Sequence, residues 1–200
     1  MSTRRQLGLT LLELLIGGTV TALLAGLGVP PLLEASANLR LRSAAEEIRG
    51  SLRLAQSMAI RYDANVGIKF KTSQPEGTVT FALYRDGDGD GVSSADIERG
   101  IDPEIRSEHQ LTSLGRGFGF GFPPGEAPRD PGDPRARLSN LDDPVRFNGS
   151  DIASFSPLGT STPGSVYLTD GRTRLMVVRL FNRTSKTTVL TYDPRTERWR

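Results

Sequence analysis

The hydrophobic and polar positions of this chain change their pattern twice, and the first pattern is almost continuously apolar. From Leu9 to Val29, 13 of 21 residues are Ala, Val, Ile or Leu, accompanied by four Gly, three Thr and a single acid, Glu13. A helix of that length reaches about 30 Å, which is enough to cross the hydrocarbon core of a bilayer. Arg4 and Arg5 precede it, so the positive-inside rule predicts a cytoplasmic N-terminus and an exported remainder.

The second pattern, over residues 30–62, has the period of an amphipathic helix. Pro30 and Pro31 predict a kink or an interruption where it begins, and Asp63-Ala64-Asn65 is expected to end it. Between them, apolar residues recur every three or four positions and predict one buried face, made of Leu41, Ala45, Ile48, Leu52, Ala55 and Ala59.

From residue 66 the period becomes two, which predicts strands. They are expected around 66–70, 79–83, 117–122, 145–148, 151–156, 165–169, 173–181 and 187–192. A long helix followed by strands predicts the α+β class. The N-terminal helix, transmembrane half plus amphipathic half, is expected to pack on an antiparallel β-sheet head at 63–200.

Two segments of the head have unusual composition. Residues 123–144 hold six prolines and predict an exposed loop. Gly and Phe alternate from Gly117 to Phe122, which predicts a strand with one aromatic face; a stacking platform for nucleic-acid bases is the alternative.

Composition narrows the possible chemistry. The 200 residues contain no Cys and one His, which excludes disulfides, thiolate metal sites and His-rich metal sites. The formal net charge of +2 gives no argument for nucleic-acid binding by the whole chain. No Gly-rich phosphate loop, nucleophile elbow or metalloprotease motif is present, and His109 is expected to be an ordinary surface residue, so we predict that the protein is not an enzyme.

The N-terminal run Gly8-Leu9-Thr10-Leu11-Leu12-Glu13-Leu14-Leu15 resembles the class III signal of type IV pilins and type II secretion pseudopilins. The resemblance implies that residues 1–8 are a leader and that prepilin peptidase cuts between Gly8 and Leu9. It also implies that Leu9 becomes N-methylated, although the family usually has Phe there. Glu13 is then the buried acid that assembly needs, and Pro30 stands where similar pilins bend.

Physical chemistry gives Glu13 a role of its own. Cleavage would create a positive α-amine four residues away, one helical turn from the carboxylate. In a bundle of such helices, each Glu13 would pair with the amine of a neighbouring subunit and fix the axial register, because an unpaired buried charge is strongly penalised. The alternative is that Glu13 lies near the membrane interface and reaches the headgroups.

The remainder of the chain resembles the GspH/FimT group of minor pilins. The first point of resemblance is the stretch from Glu46 to Asn65, a helix followed by a strand. The second is a turn with the strand that follows it, and the turn reads Ile152-Ala153-Ser154-Phe155-Ser156-Pro157-Leu158-Gly159. The third is the Trp199-Arg200 end. It implies a minor pseudopilin of a type II secretion system, part of the periplasmic pseudopilus that drives protein export. The alternative is a FimT-like minor pilin of a type IV pilus, some of which bind DNA. The implied partners are prepilin peptidase, other pseudopilins or pilins, the inner-membrane assembly platform and membrane lipid.

The C-terminal region is basic. Residues 166–200 carry eight basic residues and three acids. Three interpretations stay open: non-specific contact with DNA phosphates, contact with a protein partner, and solvated strand faces that protect a sheet edge. The candidate contact residues are Arg183, Lys186, Arg195, Arg198 and Arg200.

The run Asp86-Gly87-Asp88-Gly89-Asp90-Gly91 matches the first half of an EF-hand calcium loop, in which Val92 would offer its carbonyl. The second half departs from that pattern, since Ile97 occupies the twelfth place. The sequence therefore allows either an ion-free acidic turn or a structural Ca²⁺ site with ligands from Asp86, Asp88, Asp90, Asp96 and Glu98. The surrounding insert, 85–108, carries eight acids and three arginines, and can complement the basic tail within one subunit or between subunits.

Overall fold

A computed structural model describes residues 10–73, 78–111, 118–181 and 184–200, without the side chains at 25, 27–34, 72–73 and 78–79. Contacts divide the chain into two compact units, one ending at Leu39 and one spanning Arg40–Arg200, which we call the head unit. The elements in chain order are α1 (Leu11–Tyr62), β1 (Val66–Ser73), β2 (Thr78–Arg85), α2 (Ser94–Arg99), β3 (Glu104–Gln110), β4 (Gly119–Phe120), β5 (Val145–Arg146), β6 (Ile152–Phe155), β7 (Gly164–Thr169), β8 (Leu175–Leu180), β9 (Thr187–Asp193) and β10 (Arg198–Trp199).

The predicted α+β class is confirmed, with antiparallel strands following the long helix. The strands form two sheets rather than the single sheet that the sequence suggested. The first has the order β3-β2-β1-β6, and the second β10-β9-β8-β7-β4, with β5 also pairing with β7. Every pairing between the described strands is antiparallel.

The apolar face of α1 in the head unit is buried as its periodicity predicted. Leu41, Ala45, Ile48, Leu52, Ala55 and Ala59 are at most 1% exposed, and Ala44 joins them. The helix ends at Tyr62, and Asp63 then adopts a positive φ of 48°, a conformation that Asp tolerates better than most residues. The predicted end of this helix is therefore confirmed.

The main core brings this helical face together with both sheets. It includes Val66 and Ile68 of β1, Val166 of β7 and Val178 of β8. Aromatic rings meet at one side of it, where Phe70 stacks on Phe147 with centroids 5.9 Å apart and planes 8° from parallel.

The proline-rich segment covers the outer face of the second sheet. Leu138 is buried in a second hydrophobic cluster with Tyr167, Leu175 and Val177. Phe122, Leu141, Leu190, Tyr192 and Trp199 pack against that cluster. The expectation of an exposed loop at 123–144 was therefore wrong for Leu138 and Leu141, which pack on the sheet, whereas Pro124, Pro134 and Ala136 are exposed as expected.

Gly117, where the predicted strand begins, lies outside the described residues, and from Phe118 to Phe122 the Gly-Phe alternation does not produce one aromatic face. The strand there is only two residues long, and the φ of 154° at Gly121 ends its regular course. Phe120 packs edge-on against Phe70 in the main core, whereas Phe122 contacts Tyr167 on the other side of the sheet. Both rings are occupied by neighbours in the fold and do not form a common platform.

The sequence missed β3. Its residues, Glu-Ile-Arg-Ser-Glu-His-Gln, are polar, and six of the seven are exposed. Among the described strands it pairs only with β2, at one edge of the first sheet, and the register shifts between Phe81 and Tyr84. Charged residues on an edge strand discourage pairing with another sheet, which explains why no hydrophobic alternation marks this strand.

The helix α1 continues as helical backbone through Pro30 and Pro31, so the chain is not interrupted there. A bend at Pro30 stays a prediction. Within the described part of the chain, no helix combines the length and the apolarity needed to cross a membrane. The leader 1–8 and Leu9 lie outside the described residues.

Asp170 in the turn between β7 and β8 is expected to make stability depend on pH. Burial disfavours its charge, but the backbone N–H groups of Arg174, Arg172 and Thr173 donate to its Oδ1 at 2.9 Å and together hold its pKa below the usual range. A depressed carboxyl pKa stabilises the fold above the unfolded pKa of about 3.9, and this stabilisation is lost as the pH falls further. Replacing Asp170 by Ala should cost about 1–3 kcal/mol at pH 7 and progressively less below pH 4, measured by urea unfolding.

Candidate functional site

Thr10 and Glu13 form a capping box at the start of α1. The Glu13 carboxylate accepts hydrogen bonds from the Thr10 backbone N–H and from Thr10 Oγ1, both at 3.0 Å. In return, Thr10 Oγ1 accepts from the Glu13 backbone N–H at 3.3 Å. These bonds satisfy donors that a helix N-terminus otherwise leaves unpaired. Sequence reasoning missed this role, although Thr10-Leu11-Leu12-Glu13 has the spacing that signals it.

The helix that follows the capping box exposes apolar side chains around its circumference. Eight large residues are more than half exposed, from 53% to 78%: Leu11, Leu12, Leu14, Leu15, Ile16, Val20, Leu23 and Leu24. A helix that is apolar on all sides is stable only inside a membrane or among other helices. The eight side chains form an exposed apolar surface on this segment.

The Asp-Gly loop is organised around Asp86, which is 7% exposed. Its carboxylate accepts from the Asn65 amide at 2.8 Å and from the backbone N–H groups of Gly89 and Gly91 at 2.7 and 3.0 Å. Burial disfavours the charge, but these bonds outweigh it and lower the pKa of Asp86. The loop is thus held in place at the C-terminal end of α1 by an ionised carboxylate.

Asp102 completes a group of carboxylates that the sequence did not reveal. One oxygen from each of Asp86, Asp88 and Asp102 lies within 4.8 Å of the other two. Asp102 is 2% exposed and accepts from the N–H groups of Gly87 and Ser93, at 3.1 and 3.0 Å. It lies 14 residues beyond Asp88 along the chain, a spacing that no calcium-loop pattern contains.

The other predicted ligands differ in their surroundings. Ser93 caps α2 by accepting from the Asp96 backbone N–H, and its hydroxyl donates to the Asp96 carboxylate. That carboxylate also forms an ion pair with Arg99 at 2.6 Å, so its charge is already partnered. Glu98 is exposed on α2. Asp90 lies close to Asp88, whose charge raises the Asp90 pKa. The structure therefore groups Asp86 and Asp88 with Asp102, whereas calcium binding itself stays a prediction.

Millimolar Ca²⁺ is expected to raise the melting temperature of the protein more than Mg²⁺ does, because three carboxylates at this separation suit the larger, flexible ion. At a concentration one hundred times its Kd, the ion would add about 2.7 kcal/mol to stability. Asp102→Asn should reduce the calcium-dependent rise, whereas Asp142→Asn, an exposed change outside the group, should not. A melting temperature that Ca²⁺ does not change would contradict the prediction.

The described tail residues lie on or beside the last two strands, with Arg198 on the edge strand β10. Lys186, Arg195 and Arg198 are exposed. Arg200 pairs with Asp193 at 2.9 Å, and Arg183 lies outside the described residues. Part of the basic surplus is therefore neutralised inside the fold.

The C-terminal hairpin also fastens the proline-rich segment. Glu197 accepts from Arg129 and Arg137 at 3.1 and 2.7 Å, and the Trp199 indole N–H donates to the Arg129 carbonyl at 2.7 Å. These contacts attach the last residues to the proline-rich segment, and they give Trp199 a structural role.

Comparison with known proteins identifies the family. The family described as Type II transport protein GspH matches residues 44–184, which cover most of α1 in the head unit and the strands β1 to β8. A search of curated proteins finds no match, and a search of solved structures finds none either. The match spans well over half of the chain and includes the buried helical face and both sheets. The chain belongs to the GspH family, the pseudopilin-like proteins of type II secretion.

Proposed function

We propose that the protein is a minor pseudopilin of a type II secretion system, processed by prepilin peptidase between Gly8 and Leu9. It acts by assembly rather than by catalysis. The observation that carries the proposal is the GspH match on the head unit, joined in the same chain to the apolar segment 9–29, whose one acid is Glu13. The family accounts for contact with other pseudopilins. The apolar N-terminal helix is the segment through which the subunits would pack together.

Before assembly, we place the apolar segment 9–29 in the inner membrane as a single span, with the N-terminus cytoplasmic and the head unit periplasmic. Arg4 and Arg5 set that orientation. The exposed apolar side chains from Leu11 to Leu24 support it, because lipid and then neighbouring helices would cover them in turn. The further partners are prepilin peptidase, the inner-membrane assembly platform and membrane lipid.

After cleavage, the amine of Leu9 would carry a positive charge and a methyl group. Glu13 of an adjacent subunit would pair with that amine in the helical bundle. The capping box supports this arrangement, since it places the carboxylate at the first turn of the helix, beside the new terminus. A pair of charges in an apolar bundle fixes the axial position of each subunit, because any other register leaves both charges unpartnered.

The experiment is a deletion of this chain in its native host, with export and pilus functions measured together. We expect type II substrates to accumulate in the periplasm, while twitching and DNA uptake continue. Complementation by the wild-type chain should restore export. Normal export combined with loss of pilus function would overturn the secretion role.

That second outcome would favour a FimT-like minor pilin. The exposed Lys186, Arg195 and Arg198 form no ion pair among the described residues, which favours this alternative. Salt-dependent gel retardation of DNA by residues 32–200 tests it, since contacts with phosphates weaken steeply as salt rises. No retardation at low salt would exclude the DNA role.

A further inference from the structure

Part of one edge of the strand β9 has no neighbouring strand. On one side β9 pairs with β8. On the other side β10 covers only residues 191–193, where Thr191 and Arg200 exchange backbone hydrogen bonds of 2.7 and 2.9 Å. Within the described chain, no strand lies beside residues 187–189 on that side. We call residues 187–189 the open edge of β9.

The direction of the backbone groups at the open edge follows from this pairing. In an antiparallel strand, the N–H and C=O groups of one residue point to one side, and those of the next residue point to the other. Thr191 points to β10, so Thr187 and Val189 present their N–H and C=O groups on that same side. No backbone hydrogen bond among the described residues reaches them there. An unpaired row of this kind is a template for another extended chain.

The open edge lacks the charges that protect an edge of the first sheet. The edge strand β3 carries Glu104, Arg106 and Glu108, and exposed charges on an edge discourage pairing with a further strand. Residues 187–191 read Thr-Thr-Val-Leu-Thr, without a charge, and the β-branched Thr and Val favour strands. Residues 187–189 are partly exposed. The open edge is therefore accessible and suited to pairing.

Basic side chains flank the open edge, whereas the nearby acids are already paired. Lys186 directly precedes the open edge, and Arg198 lies on the adjoining β10. Both are exposed, and neither forms an ion pair within the described ranges. The acids of the C-terminal hairpin, Asp193 and Glu197, form ion pairs with arginines. The uncompensated charge beside the open edge is therefore positive.

We propose that the open edge of β9 accepts an extended acidic segment of a different protein, which adds a strand to the second sheet. The unpaired backbone groups call for an extended peptide backbone, which gives main-chain hydrogen bonds that DNA cannot supply. Lys186 and Arg198 call for acidic residues in that segment, because complementary charge selects the partner.

A second copy of this chain does not fit the same edge. Two copies joined edge to edge would bring the basic residues of one against those of the other, and like charges at a contact are costly. One added strand occupies the edge, so the contact does not propagate from copy to copy. It goes beyond the proposed function, since it specifies a surface of the head unit and the chemistry of its partner.

The charge requirement is tested with the fluorescent peptide Glu-Thr-Val-Thr-Val-Glu and the purified full-length chain in detergent, by fluorescence anisotropy. We expect binding that weakens at least about fivefold when salt rises to roughly 0.5 M, because salt screens exposed charges. A peptide with Lys at both ends should bind only the double variant Lys186→Glu, Arg198→Glu. Arg195→Glu, an exposed change in the turn between β9 and β10, is the control and should leave binding of the acidic peptide nearly unchanged.

The backbone requirement is tested at Thr187. Thr187→Pro removes the N–H that faces the open edge and leaves the bonds to β8, and Pro is tolerated at such edge positions. Thr187→Ala keeps the N–H and is the matched control. We expect the proline variant to bind the acidic peptide about tenfold more weakly than the alanine variant, the effect of one lost hydrogen bond.

Modified peptides give the same test without changing the protein. N-methyl groups on every second residue block one edge of the peptide and leave the other able to pair, so this peptide should bind. A peptide methylated on every residue has no N–H to donate and should not bind.

Four results would overturn the proposal. They are equal binding by Thr187→Pro and Thr187→Ala, equal binding of the lysine-ended and acidic peptides to the wild type, binding of the fully methylated peptide, and dimerisation of the chain that Thr187→Pro abolishes. Binding of the fully methylated peptide would indicate a surface that recognises charge alone, as a DNA-binding surface does. Dimerisation would make the occupant a second copy. Leader processing and protein export are measured separately, so either outcome leaves the proposed function standing.

Discussion

Replacing Glu13 by Leu is expected to leave membrane insertion intact and to abolish incorporation into the filament. Insertion should improve, since a carboxylate costs about 2.5–3.5 kcal/mol inside a membrane helix. Assembly should fail because the α-amine of the neighbouring Leu9 would enter the apolar bundle without a partner. The measurement compares the amount of the variant in the membrane fraction with the amount in sheared filaments.

Glu13 also closes the capping box, so a second pair of variants must separate the two roles. Glu13→Gln keeps a side chain that can accept from the Thr10 N–H but removes the charge. Thr10→Ala removes the hydroxyl of the box and keeps the charge. If the charge matters, Glu13→Gln fails to assemble and Thr10→Ala assembles. Assembly of Glu13→Gln together with failure of Thr10→Ala would show that Glu13 acts as a helix cap. Normal assembly of Glu13→Leu would refute both roles.

Replacing Phe147 by Ala is expected to destabilise the head unit by about 3–5 kcal/mol, the range for removing a buried aromatic ring. Phe147 is 0% exposed and stacks on Phe70. The chain has no side chain at Gly164, where a Cβ would come within 2.1 Å of Phe147 Cδ1. Neighbouring backbone is thus fitted to this ring and cannot readily fill the space that it would leave.

Urea unfolding of the purified chain measures that loss through the midpoint and the slope together. Leu158→Ala is the matched control, because Leu158 is 92% exposed and its truncation should change stability by less than about 0.5 kcal/mol. A loss below 1 kcal/mol for Phe147→Ala would mean that the ring is not part of a close-packed core.

The elements that the sequence predicted best are those whose residues obey one period. The buried face of α1 repeats every three or four residues over five turns, and it packs as expected. The strand β1 alternates Val66, Ile68 and Phe70, and all three are buried. The period of the apolar residues was enough to predict which of them are buried, because one side of each element faces the core.

Other parts depend on contacts that no local pattern records. The edge strand β3 has no apolar alternation, and it exists through backbone pairing with β2. The proline-rich segment is held by scattered residues such as Leu138, together with the distant Trp199. Asp102 joins Asp86 only because the insert folds back on itself. The capping box is different, because its Thr-x-x-Glu spacing is visible in the sequence. The apolar residues around it directed attention to the charge of Glu13 instead of to its position at the helix N-terminus.

The central claim, that this chain enters a filament as a processed pseudopilin, is tested most directly by the intact mass of the protein purified from membranes of its native host. The account predicts a mass that lacks residues 1–8 and carries one added methyl group. It also predicts the full mass in a strain without prepilin peptidase. A mature protein that keeps its first eight residues while the peptidase is active would contradict the account.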